Sequence, residues 1–146
     1  MKKTYFVLLF LVLSLLVPWQ GLAKDKQDPV IPDTPDGKAL YELMTARNAA
    51  VNAKNFDMIV PLYTKDAPEL EWIKKKGIPT WKKYGMKFKN LVLKKMSIIG
   101  DDAAASFSLT GRDRSGGRYW FVLEVLYVKV DSLWKIESVI MRSKIR

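Results

Sequence analysis

Beyond Leu91 the apolar residues recur at every second position in runs separated by short turn signals, which restricts this part of the chain to an antiparallel β meander. Ala103, Ala105, Phe107 and Leu109 alternate with Ala104, Ser106, Ser108 and Thr110. The pattern predicts strands over 91–99, 103–110, 118–130 and 133–141, with turns at Gly100-Asp101-Asp102, Ser115-Gly116-Gly117 and Asp131-Ser132.

The preceding segment has a different period. Thr34-Pro35 is a capping residue followed by proline at the first helical position. Leu40, Leu43, Met44, Ala50 and Val51 then fall on one helical stripe. Asn55 caps a second, short helix over 56–64, which Pro61 bends or loosens. A third helical stretch is expected over 79–84, after a break at Gly77. Helices followed by a meander give an α+β domain, its helices packed on one sheet face.

The start of the chain reads as an export signal. Lys2 and Lys3 precede an apolar run over 5–19, interrupted by Ser14 and Pro18, and Gly21-Leu22-Ala23 follows with small residues where a signal peptidase cuts. At about 15 residues the run is short of the ~20 that span a bilayer. Residues 1–23 are therefore expected to be a signal peptide, 24–34 an extended lead-in, and 35–146 one domain. With no Cys after the apolar run, a lipid-anchored form is excluded and a soluble periplasmic or secreted product is expected. Removing 23 of 146 residues leaves 123, enough for an apolar core without disulfides. Losing Lys2 and Lys3 lowers the net charge from +10 to +8. An exported basic domain favours lipid headgroups, cell-wall polymers or acidic small molecules over nucleic acid.

Three segments resemble the nuclear-transport-factor-2-like superfamily and its SnoaL-like polyketide cyclase relatives. They are the helical run from Ala49 to Asp57 continuing into Leu62-Tyr63-Thr64-Lys65-Asp66-Ala67, the turn Gly100-Asp101-Asp102-Ala103, and Asp131-Ser132-Leu133-Trp134-Lys135-Ile136 near the end. The resemblance implies a cone, a curved sheet wrapped around helices with a pocket at the open end. Enzymes of the superfamily usually place an Asp or an Asp–His pair there. This chain has no His, and no acidic residue aligns with such a site. No cofactor or metal is implied.

Glu124 interrupts the apolar run of the third strand. A two- or four-residue turn at Ser115–Gly117 puts Phe107 and Leu109 on one face with Trp120, Val122, Glu124, Leu126 and Val128, so Glu124 points inward. The next hairpin disagrees. A two-residue turn at Asp131-Ser132 pairs Trp134 and Ile136 with Lys129 and Tyr127 on the opposite face; a three-residue loop or a bulge would restore agreement. An inward carboxylate needs a partner; Arg47, one turn beyond Met44 on the helical stripe, is one candidate, the alternative being a stripe-edge arginine that snorkels to water. The expected pocket thus comprises Arg47, Phe107, Leu109, Trp120, Val122 and Glu124, with Glu124 the single candidate for a general base.

Nine lysines and no acidic residue lie between 74 and 95. Trp72, Lys74, Lys75, Lys76, Trp81, Lys82 and Lys83 form a candidate patch for an anionic surface. Both faces of the third strand are apolar, so a second copy covering the outer face, a homodimer, is expected. These readings favour an exported, non-catalytic domain that binds a ligand or partner. The alternative is an isomerase- or cyclase-type pocket enzyme using Glu124 as base.

Overall fold

Thr34 starts the first helix as the sequence requires, its hydroxyl oxygen accepting from the Gly37 N–H at 3.0 Å. The computed structural model describes residues 32–144; the expected signal peptide and most of the expected lead-in lie outside them. Helix α1 (Pro35–Ala53) buries Leu40, Met44, Arg47, Ala50 and Val51 along one side. It ends where Lys54 turns left-handed, at φ 51°.

Asn55 caps α2 (Phe56–Ile59) by accepting from the Asp57 and Met58 N–H groups. The helix expected over 56–64 is shorter, giving way to a 3-10 turn at Val60–Leu62, where Pro61 has no N–H to continue an α-helix. Conversely, more helix follows than the sequence patterning indicated. Helix α3 (Pro68–Trp72) passes through a π-turn, Ile73–Gly77, into α4 (Ile78–Tyr84) without a break at Gly77. The wider π-turn accommodates Pro79, which cannot donate to the preceding turn. Gly77 is needed for close approach: a Cβ there would lie 3.0 Å from the Trp72 ring and 3.2 Å from the Trp81 ring.

Strands β1 (Lys87–Ile99), β2 (Asp102–Arg112), β3 (Arg118–Val130) and β4 (Leu133–Lys144) form one antiparallel sheet in the order β1-β2-β3-β4. β1 begins four residues before the expected 91, where Asn52 on α1 holds the start of the strand: the side-chain amide donates to the Phe88 carbonyl at 2.7 Å and accepts from its N–H at 2.8 Å. Register shifts in β1 between Lys89 and Val92 and between Leu93 and Lys95, and in the β3–β4 pairing at Leu126/Tyr127, bend the sheet around the helices. The core lies between α1 and the inner face, which carries Phe88, Leu93, Phe107, Leu109, Leu123, Val125, Tyr127 and Ile136. Trp134 locks one end, donating from Nε1 to Asp36 at the start of α1 at 2.8 Å.

The β2–β3 register differs from the expected one. Arg112 pairs with Arg118 across a five-residue loop, so Leu109 faces Phe121, Phe107 faces Leu123 and Ser106 faces Glu124. An odd-length loop pairs even positions with even, which turns Trp120, Val122 and Glu124 onto the outer face. The β3–β4 hairpin has the two-residue turn: Asp131 and Ser132 adopt φ of 50° and 65°, and Tyr127 pairs with Ile136. The two hairpins thus agree on an inward Tyr127 and an outward Glu124.

Candidate functional site

The polar group at the centre of the domain is Arg47. It extends the α1 stripe inward at 2 % exposure, where an unpaired charge would be prohibitive. Its Nε donates to the Tyr63 hydroxyl at 2.5 Å and its terminal nitrogen to Glu69 Oε1 at 2.8 Å. The Tyr63 hydroxyl in turn donates to Glu69 Oε2 at 2.9 Å. The three side chains close a triangle joining α1, the segment after the 3-10 turn and the first turn of α3. A parallel bridge to Ile136 fixes Tyr63, with the Thr64 N–H donating to the Ile136 carbonyl at 2.9 Å.

The electrostatics follow from burial. Burial opposes the charge on Arg47, but its bonds to Tyr63 and Glu69 more than offset this, and the guanidinium is held charged. Burial likewise pushes the Tyr63 and Tyr127 hydroxyls well above the ordinary phenol range. Tyr127, beside this group on β3, has a buried hydroxyl with no hydrogen-bond partner among the described residues.

The predicted site residues separate into three places. Arg47, Phe107 and Leu109 lie inside, each at most 2 % exposed, so side chains fill the interior at these positions. Trp120, Val122 and Glu124 lie on the other side of the sheet, contrary to the expected pocket. Glu124 is half-buried there between Ser106 and Ile140 and has no contact with Arg47, so it cannot serve as the base of an interior site. The partner of Arg47 is instead Glu69. Its helix is a single turn announced by Pro68, too short to show an apolar period, and that proline was the signal available.

The lysine patch is partly as expected. Lys74, Lys75, Lys76, Lys82 and Lys83 are exposed, and Trp72 is 49 % exposed. Trp81 is not available to a surface: it is buried edge-on between Trp72 and Phe88, with ring centroids 6.1 and 5.7 Å away. Lys75 is paired with Glu71 at 2.5 Å, while Lys74 and Lys83 lie over the rings of Phe56 and Tyr84. Among the described residues no group of His, Cys, Asp or Glu is placed to hold a metal, and no helix is long and apolar enough to cross a membrane.

No family model matches this sequence, and no curated protein matches it. Solved structures do. A nuclear-transport-factor-2-like protein of unknown function from Shewanella oneidensis is 13 % identical with a TM-score of 0.58, the match covering 73 % of this chain and 98 % of that one. A nuclear-transport-factor-2-like protein with a cystatin-like fold from Novosphingobium aromaticivorans is 12 % identical with a TM-score of 0.59, over 73 % and 80 % of the two chains. An uncharacterised protein with a cystatin-like fold from Caulobacter vibrioides is 16 % identical with a TM-score of 0.61, over 74 % and 89 %. Helices packed against a four-stranded antiparallel sheet, and this set of structural neighbours, identify the chain as a domain with the nuclear-transport-factor-2-like, cystatin-like fold.

Proposed function

We propose that this protein is an exported, non-catalytic binding domain that pairs with a second copy through the outer face of its sheet and docks on an anionic surface through the lysines of α3–α4. The observation that carries this reading is the contrast between the two sheet faces. Inside, Phe107, Leu109 and the Arg47 triangle occupy the space between helices and sheet. Outside, Val122, Leu126 and Val128 line one strand beside Ile140, which is 49 % exposed. An apolar surface of this kind is worth covering, and an isologous pair covers it with a single patch. The outer strands and the exposed lysines favour a partner over a turned-over substrate.

Light scattering on the purified protein tests the pairing. About twice the monomer mass is expected, falling to the monomer mass for Leu126→Lys and Ile140→Lys, and a monomeric wild type overturns it. Sedimentation with anionic vesicles tests the docking: binding is expected to fall steeply as salt rises and to be lost in Lys74→Gln/Lys76→Gln/Lys82→Gln. Export rests on residues 1–23, and mass spectrometry of the secreted product should find Lys24 at its N-terminus.

A further inference from the structure

The geometry points to a second binding site, independent of the docking lysines, at the end of the sheet formed by the β2–β3 hairpin, and to a phosphorylated sugar as its ligand. The register pairs Lys87 with Arg112 and Arg112 with Arg118, setting three cations side by side across β1, β2 and β3. They lie on the face opposite Phe88 and Gly111, hence away from the helices. The next row of the same face is Lys89, Thr110 and Trp120. Like charges directly opposite one another across strands are destabilising, and the ion pairs of the described residues include none of these cations. Folding alone gives no reason for such a row; an incoming anion does.

With Arg114 from the loop, these side chains line a cleft of about 840 Å³, within the range of roughly 300–1,000 Å³ typical of small-ligand sites. Its one carboxylate, Asp113, is turned to the loop itself. One oxygen accepts from Ser115 Oγ at 2.6 Å and the Gly117 N–H at 2.8 Å, the other from the Tyr119 hydroxyl at 2.6 Å. The frame is held by further bonds. The Arg114 N–H donates to the Tyr84 carbonyl at 2.9 Å, tying the loop to the end of α4. Asn90, left-handed at φ 56° in the β1 irregularity, donates to Thr110 Oγ1 at 3.0 Å.

The chemistry of the lining selects the ligand. Adjacent guanidinium groups present paired N–H donors that match phosphoryl oxygens, with the lysines adding charge. Trp120, 40 % exposed and two residues from Arg118, adds an apolar ring surface against which a sugar face can lie. A bare phosphate would use the cations and leave the rest of the cleft empty. A phosphate monoester on a sugar ring uses both.

Titration calorimetry with glucose 6-phosphate, glucose and inorganic phosphate, on the full protein, tests the site. Charge-assisted bonds to two arginines predict that the phosphosugar binds at least about tenfold more tightly than glucose, and that Arg112→Gln/Arg118→Gln loses about tenfold or more. That variant should keep or raise the melting temperature, because it relieves like-charge repulsion. Lys74→Gln/Lys75→Gln/Lys76→Gln should bind as wild type. Trp120→Ala should weaken the phosphosugar and leave inorganic phosphate unchanged. Absence of phosphosugar binding overturns the assignment. So does an equal loss in the lysine variant, which would mean diffuse charge, or equal affinity for inorganic phosphate, which would remove the ring. An Arg112→Gln/Arg118→Gln variant that dissociates to monomers while binding phosphosugar normally would assign the row to contact between copies.

Discussion

The two places where this domain concentrates charge are built on opposite principles. In the interior, Arg47, Tyr63 and Glu69 bond to one another within 2.9 Å, so the buried charge is matched inside the fold. At the β2–β3 end of the sheet, Lys87, Arg112 and Arg118 stand in register with no acidic partner among the described residues. A buried charge must be matched within the fold, because leaving it unmatched costs several kcal/mol. An exposed one can be left for a partner to match, because water supports it meanwhile. The interior group is thus a fastening between α1 and α3, whereas the sheet end has unspent capacity to bind.

Breaking the interior group should give the largest effect. Glu69→Ala leaves the Arg47 guanidinium buried with only a neutral hydroxyl beside it, and a cost of about 3 kcal/mol is expected, the low end for a broken buried pair because Glu69 is 14 % exposed. Urea unfolding measures it. Replacing the whole group, Arg47→Met/Tyr63→Phe/Glu69→Leu, should recover most of that loss, since apolar residues of similar volume often substitute for a buried ionic group without penalty. A triple variant as unstable as Glu69→Ala would mean that the group does more than fasten two helices. At the sheet end, by contrast, Arg112→Gln should not destabilise at all.

The framework that carries this contrast could be read in the sequence, though not the residues that make it. The cap at Thr34, the stripe from Leu40 to Val51 and the turn at Asp131-Ser132 are local signals, and the structure keeps them. The same spacing extends that stripe to Arg47, but it leaves open whether the guanidinium is buried or reaches water at the stripe's edge. Its partner was not legible, because Glu69 lies 22 residues away in a one-turn helix without periodicity. The inward Glu124 failed for a related reason. Ser115-Gly116-Gly117 resembles a short turn, yet Asp113 gathers Ser115, Gly117 and Tyr119 around its carboxylate and lengthens the loop to five residues. One residue of loop length exchanges the two faces of β3. The cationic row was hidden with it, since Lys87, Arg112 and Arg118 become neighbours only in that register.

A smaller effect is expected at Tyr127, whose buried hydroxyl, beside the triangle, lacks a partner among the described residues. Tyr127→Phe removes the unpaired group without changing the packing, and a gain of up to about 1 kcal/mol is expected. Thermal or urea unfolding measures it. A loss of similar size would show that the hydroxyl is bonded in solution, and that the interior is less self-contained than the triangle suggests.

The smallest effect, and the one that links stability to the sheet end, concerns Asp113. Hydrogen bonds from Ser115, Tyr119 and the Gly117 N–H hold its carboxyl down at about 2, against 3.8 for the unperturbed group. A carboxyl depressed in the folded state contributes stability that is complete above the unfolded value and is lost as pH falls towards the folded one. The contribution of Asp113 is therefore present above about pH 4 and lost between about pH 4 and pH 2. Asp113→Asn should flatten this part of the acid limb, seen as a shallower fall of the urea midpoint with decreasing pH, and should lower the midpoint slightly at neutral pH, where the wild-type carboxylate contributes in full. The same change removes the one negative charge lining the cationic cleft, so at neutral pH it should tighten phosphosugar binding, and by less as salt rises. An acid limb identical to wild type would mean that the carboxylate does not hold the loop. Weaker binding in Asp113→Asn would mean that the loop's shape matters more to the cleft than its charge, because the substitution adds no negative charge and can only loosen the bonds to Ser115 and Tyr119.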